Sequence, residues 1–191
     1  MKRTKWITIP IFMVTLLAFV LSPAVFAQGP PADKPPTDRG KGQPGPTIVE
    51  VVIAVNSEGP FAGSFDTLIA AILAADQSVI MALTGNGQYT VFGPTDDAFA
   101  ALGLDETNIG SAFSQDVLTE ILLYHVRRGR LYAEDVLMKT RLRMLYPGFL
   151  FQDGGVLTDN LGREANIIVT DVEAGNGIIH VIDAVVLPYA L

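Results

Sequence analysis

Cysteine is absent from all 191 residues, histidine occurs twice, and basic residues are outnumbered, 13 Lys+Arg against 20 Asp+Glu. Without cysteine there is no disulfide scaffold, thiolate metal site, iron–sulfur cluster, cysteine nucleophile or lipid-modified N-terminal cysteine. The two histidines, His125 and His180, stand in neither an H-x-E nor an H-E-x-x-H spacing, so neither opens a zinc site. Asp153, Asp159 and Asn160 miss the calcium-loop pattern. No Gly-x-Ser-x-Gly elbow, phosphate loop or dinucleotide fingerprint occurs. Carboxylates that are sequence neighbours, such as Asp96/Asp97 and Glu134/Asp135, point apart rather than converge. A net charge of −7 excludes a general nucleic-acid binder, because phosphate binding needs a positive field. These absences argue for a protein that is not an enzyme and that takes neither metal nor cofactor.

What is present suits a folded, exported chain. Hydrophobic residues make up 49% and charged residues 17%, which argues against wholesale disorder, and the length suits one compact domain or two very small ones. Lys2, Arg3 and Lys5 precede an apolar run from Ile7 to Leu21, and Val25-Phe26-Ala27 supplies a small-residue exit. That order describes a signal peptide over residues 1–27. The run is shorter than the ~20 residues of a membrane-spanning helix, so after cleavage no anchor is expected. Residues 28–46 are rich in Pro and Gly, lack apolar periodicity and read as a disordered linker. The folded domain is expected at 47–191, in a secreted, extracellular or periplasmic location.

Within that domain Ser64 is an expected N-cap for a helix whose buried stripe is Phe65, Leu68, Ile69, Ile72 and Leu73. Gln88 to Phe92 reads as a strand ended by Gly93-Pro94. Thr95 then caps a short helix with Asp96 and Asp97 in its first turn and Ala98, Phe99 and Leu102 on its apolar side. Ser114 caps another helix, carrying Val117, Leu118, Ile121 and Leu122. After Gly129 the pattern becomes β-rich, with runs at Arg141–Tyr146, Phe149–Phe151, Val156–Thr158, Asn166–Val172 and Ile178–Leu187. Asn176-Gly177 is the strongest hairpin signal, a pair suited to positive φ at both turn positions. Helices first and strands second predict an α+β fold. Thr47 to Val55 is β-branched and strand-like by propensity, though periodicity alone does not decide it.

Three stretches in order resemble the fasciclin-like domain family: Thr90-Val91-Phe92-Gly93-Pro94-Thr95-Asp96-Asp97-Ala98-Phe99; Leu123-Tyr124-His125-Val126 followed by Gly129; and Asn176-Gly177-Ile178-Ile179-His180-Val181-Ile182-Asp183 with Leu187-Pro188. Thr47-Ile48-Val49-Glu50 resembles the usual opening of such a domain. The resemblance implies a β-sandwich or wedge with helices packed mainly from the N-terminal half, and a helical Thr47 segment against its propensity. It also implies adhesion or extracellular interaction, with a cell-surface, matrix or glycan partner. In animal members the tyrosine–histidine motif is implicated in integrin binding and falls here on Tyr124 and His125. A second animal motif would align over Val169-Thr170-Asp171-Val172, where only Asp171 persists.

Each candidate residue has a structural reading beside the interaction one. Thr95 and Asp96 suit a strand exit and helix cap. Tyr124 and His125 sit among Leu122, Leu123 and Val126, neighbours that suit burial with locally satisfied polar atoms. Asn176 belongs to the turn. His180 shares a strand face with Ile178 and Ile182, as a hydrogen-bonded core residue would.

The most distinctive local signal is positive. Arg127, Arg128, Arg130, Lys139, Arg141 and Arg143 are six of the seven basic residues in 47–191, against 18 acidic ones. They form either a solvated strand edge that discourages aggregation or a patch that docks an anionic partner such as surface polysaccharide, lipid headgroups or an acidic protein. The apolar stretch Met144–Phe151 reads as two core strands joined by a turn. Its alternative is the wall of a slot for a carotenoid-like or other apolar ligand, an activity that some fasciclin-like proteins resemble.

Overall fold

The computed structural model describes residues 45–191; the expected signal peptide and nearly all of the linker lie outside the described residues. Their elements run in chain order α1 (Ile48–Ser57), α2 (Asp66–Ala74), α3 (Gln77–Thr84), β1 (Tyr89–Pro94), α4 (Asp96–Ala100), α5 (Ile109–Ala112), α6 (Gln115–Tyr124), β2 (Val126–Arg128), α7 (Ala133–Leu137), β3 (Arg141–Arg143), β4 (Phe149–Asp153), β5 (Val156–Thr158), β6 (Glu164–Ala174) and β7 (Gly177–Ile182). This is the expected α+β wedge, with helices concentrated in the first half.

The strands form one seven-stranded sheet in the order β2-β1-β7-β6-β5-β4-β3. Only β1 and β7 run parallel, paired from Tyr89↔Gly177 to Pro94↔Ile182; the other ladders are antiparallel. The sheet curls until its edges meet, because Leu145, just past β3, donates its N–H to Val126 of β2 at 2.7 Å. A core lies on each face. One joins Ile48, Leu68, Ile72, Leu118 and Ile121 of the helices to Val91, Ile179 and Val181 of the sheet. The other gathers Phe92, Tyr124, Leu142, Leu150, Leu157 and Ile182. Each such aliphatic side chain, fully buried, contributes about 1.5–3 kcal/mol.

Local chemistry explains where the sequence pattern held and where it did not. The Thr47 segment is helical because Thr47 and Glu50 form a reciprocal capping box, which outweighs the β-branched composition. Thr95 and Ser114 cap α4 and α6 as expected, accepting from Ala98 N–H at 3.4 Å and Val117 N–H at 3.3 Å. Ser64 does not cap α2; that helix starts at Asp66 with no side-chain cap from its own N-cap residue. Leu73 is 72% exposed and Leu102 42% exposed, so neither belongs to the buried stripe expected of it.

The final hairpin also differs from expectation. Ala174 pairs with Gly177, leaving Gly175 and Asn176 as the two loop residues, and neither has positive φ. Gly177 is required for another reason. A Cβ there would lie 2.3 Å from the Tyr89 carbonyl oxygen and 2.6 Å from Ile48 Cδ1. The glycine lets α1 and β1 close onto the start of β7.

Candidate interaction site

Each motif residue is held by main-chain groups from distant parts of the chain. Asp96, expected to serve its own helix, instead accepts from Asp66 N–H (3.1 Å) and Thr67 N–H (2.9 Å) at the start of α2. Both carboxylate oxygens are engaged, which supplies the cap that Ser64 does not. Asn176 is buried, and its amide is saturated. Its Oδ1 accepts from Ile48 N–H (2.8 Å), and its Nδ2 donates to Leu83 O (2.7 Å) and Gly85 O (3.0 Å). One amide thus joins the start of α1 to the end of α3.

Tyr124 and His125 end α6 inside the protein. The Tyr124 hydroxyl donates to Phe149 O at 2.7 Å, and burial pushes its pKa up to about 12. His125 Nε2 accepts from Val186 N–H at 3.3 Å, so Nδ1 carries the proton donated to Ile121 O at 2.8 Å. Burial lowers its pKa to about 4. This ring is neutral at physiological pH and pins the C-terminal segment to α6. His180 is stacked on Phe92, centroids 5.6 Å apart; it faces Leu131 O through Nε2 and Asp171 N–H through Nδ1. Burial lowers its pKa as well. Asp171 has φ 60 at the irregular part of β6, and its Oδ1 accepts from Ala133 N–H at 2.8 Å. All these side chains serve the scaffold, and none of their polar atoms named here is turned outward as a free contact.

The six basic residues divide into two groups. Arg130 is buried, its Nη2 donating to Ala174 O and Gly177 O, so it is withdrawn from the expected surface patch. Arg127 is only partly exposed. Arg128, Lys139, Arg141 and Arg143 are exposed. Arg141 and Arg143 flank the buried Leu142 on β3 and stand opposite Phe151 and Phe149, with the Arg141 guanidinium 5.0 Å above the Phe149 ring. Arg128 and Arg143 each lie two residues from the Leu145–Val126 bond that closes the sheet. Among the described residues the ion pair is Asp159–Arg163, and none of these four exposed cations makes one.

The Met144–Phe151 stretch is the turn after β3 and the first part of β4 rather than two core strands: Met144 and Leu150 are buried in the second core, while Phe151 is 48% exposed. An apolar cleft lies elsewhere, lined by Phe99, Leu102, Leu104, Phe113, Val185 and Leu191. Among the described residues no three or more His, Asp or Glu side chains converge as metal ligands do. No helix among them is long and apolar enough to cross a membrane.

The family model for the fasciclin domain matches residues 63–188. The chain belongs to the fasciclin domain family. This fasciclin domain is 41% identical over 146 residues to Protein sll1483 of Synechocystis sp., covering 74% of the chain and 73% of that protein. It is 34% identical over 128 residues to the transforming growth factor-beta-induced protein ig-h3 of Sus scrofa, covering 66% of the chain and only 18% of that larger protein. Its fold is similar to a solved FAS1 domain pair from the insect cell adhesion molecule fasciclin I. That match has a TM-score of 0.58 at 19% identity and covers 74% of the chain and 51% of the solved one. The saturated Asp96, Asn176, Tyr124, His125 and His180 show how the family motifs assemble the fold in this member.

Sequence reasoning missed two features. Asp159 is a buried anchor: it accepts from Leu161, Arg163 and Leu187 N–H groups as well as pairing with Arg163. Gln88, just before β1, carries amide atoms shielded from solvent without a partner; its alternation with Thr90 was the available signal.

Proposed function

We propose that this fasciclin domain is an exported, non-enzymatic interaction module that holds an anionic surface or matrix polymer. The observation that carries this reading is the segregation of charge. Arg128, Lys139, Arg141 and Arg143 stand exposed and outside ion pairs among the described residues, in a domain whose other surface charge is overwhelmingly acidic. Phe149 and Phe151 lie across the ladder from Arg143 and Arg141. Such a face attracts an acidic glycan by charge and receives sugar rings on its aromatic side chains. Membership of a family that includes the insect cell adhesion molecule supports an extracellular, adhesive role, and the N-terminal sequence pattern supports export. The test is retention of the protein on immobilised polyanions and on a neutral polymer. Retention on the polyanions alone, lost as salt rises, supports the reading; equal retention on both overturns it.

A second reading, carriage of an apolar ligand, would need the cleft between Phe99, Phe113 and Leu191 to widen, since its free volume of about 10 Å³ takes no more than a water-sized group. Native mass spectrometry with an absorption spectrum decides it: a stoichiometric apolar ligand favours the carrier, and a ligand-free protein removes it.

A further inference from the structure

The curled sheet closes at one end of its seam only. β3 is three residues long and pairs with β4 alone. Gln152 N–H donates to Thr140 O at 3.0 Å and Met144 N–H to Gly148 O at 3.2 Å, so the even-numbered residues of this strand form the hydrogen-bonded pairs of the ladder. Arg141 and Arg143, opposite Phe151 and Phe149, are the alternate pairs, and their N–H and C=O groups point away from β4. Among the described residues nothing bonds these groups. The bond between Leu145 and Val126 fastens the edge to β2 at one end. Further along, the chain after β2 turns away from it. Gly129 has φ 93, Leu131 N–H donates to Thr90 Oγ1 at 2.9 Å, and the Arg130 guanidinium reaches the main chain of β6 and β7. Among the described residues no strand runs beside Arg141 on that side.

A row of unpaired N–H and C=O groups on an exposed edge is a template for an added strand. The side chains select which strand. Arg141 and Arg143 are exposed and Leu142 between them is buried. A strand added beside β3 therefore sets alternate side chains next to the two arginines, about 5.5 Å away, and the side chain between them next to Leu142. Arg128 at the end of β2 is exposed as well, and none of these three arginines makes an ion pair among the described residues. A second copy of the chain would bring the same arginines to the new ladder, where like charges directly opposite repel. The chain's own residues 28–46 carry Lys34, Arg39 and Lys41 against Asp33 and Asp38 and are rich in proline, which cannot donate to a ladder. An acidic extended segment of another protein matches both the main chain and the charge.

We propose that the Arg141–Arg143 edge binds an extended acidic polypeptide segment, which adds antiparallel to β3 with acidic residues beside the two arginines and a small or apolar residue between them. Main-chain bonds supply affinity, and the arginines set the register and the sign of charge. A glycan has no row of amide N–H groups to offer this edge. The inference rests on the cationic-face reading and goes beyond it, to a polypeptide partner held through its main chain.

Fluorescence anisotropy with a labelled peptide of alternating Glu and Val tests it, beside two N-methylated copies of equal charge. Methyl groups on the Glu nitrogens, which face β3 in the paired register, should weaken binding at least tenfold. Methyl groups on the Val nitrogens, which face away, should leave it within threefold. Amide exchange at Arg141 and Arg143, followed by NMR, should slow when the unmethylated peptide binds. Arg141→Pro removes an N–H that serves no bond to β4, a change an edge strand tolerates, so its melting temperature should hold. It should bind the peptide at least fivefold more weakly than Arg141→Gln, which loses the same charge and keeps the N–H. No binding of the unmethylated peptide, equal affinity for all three peptides, or unchanged exchange at both arginines on saturation overturns the proposal, whether or not Arg141→Pro folds. Equal affinity in a folded Arg141→Pro and in Arg141→Gln overturns it too. Retention on dextran sulfate separates the two levels: if it persists while the alternating peptide fails to bind, the strand-adding edge falls and the anionic-polymer reading stands. If neither is held, both fall.

Discussion

The carboxylate of Asp96, at the start of α4, accepts the N–H of Thr67 at the start of α2 at 2.9 Å. Two helix starts separated in sequence are therefore closed by one side chain, with Thr95 capping α4 itself and Asp96 capping its neighbour. Asp96→Ala should destabilise the protein by about 1–2 kcal/mol. Asp96→Asn should cost less, because one acceptor oxygen remains. Ser64→Ala should stay within about 0.5 kcal/mol. Urea denaturation of the three variants checks the ranking, and an effect of Ser64→Ala equal to that of Asp96→Ala would refute it.

Asn176 uses donor and acceptor on opposite sides of one amide. Asn176→Asp therefore replaces a donor with an oxygen that faces the carbonyls of Leu83 and Gly85. It should cost at least as much as Asn176→Ala, about 2–4 kcal/mol from the buried groups left unpaired. Comparing their melting temperatures at pH 7 decides this, since a mild Asn176→Asp would contradict the assigned amide orientation.

At Gly177 the close approach of Tyr89 and Ile48 leaves no room for a methyl group. Gly177→Ala should therefore lower stability more than the same change at Gly129, where nothing stands within 4 Å. Gly129 has φ 93, so its alanine variant carries only backbone strain, of order 1–3 kcal/mol. Soluble yield and melting temperature of the two variants make the comparison.

How much of this was legible beforehand depends on the range of the interaction. The caps at Thr95 and Ser114 lie three residues from the N–H groups they serve, so local pattern sufficed. The family motifs revealed the α+β wedge and the helix at Thr47. Asp96 reaching α2 and Arg130 reaching Ala174 and Gly177 depend on contacts across 30 to 47 positions, which spacing does not encode. For the same reason six clustered basic residues looked like one patch. Strand pairing turns Arg127 to the inner face, and Arg130 folds back to bond with β6 and β7.

Two buried histidines make stability pH-dependent in one direction. An unfolded histidine takes up its proton near pH 6.5, whereas folded His125 resists until about pH 4. The unfolded state thus binds more protons as pH falls through this window, and stability declines. From pH 7 to pH 5 the His125 contribution should be a loss of about 2 kcal/mol, with His180 acting in the same sense. Denaturation at pH 7, 6 and 5 should show the decline, reduced in His125→Gln. A flat profile would contradict the burial of both rings.

The central claim is that an exposed cationic face gives this fasciclin domain its partner. Its most direct test is the salt dependence of binding to an immobilised anionic polysaccharide, for the wild type and for the combined variant Arg128→Ala, Arg141→Ala, Arg143→Ala. Charge-driven binding should weaken steeply as salt screens the face. The variant should bind at least tenfold more weakly at low salt, with a shallower salt slope. Unchanged affinity and slope in a folded variant would contradict the account.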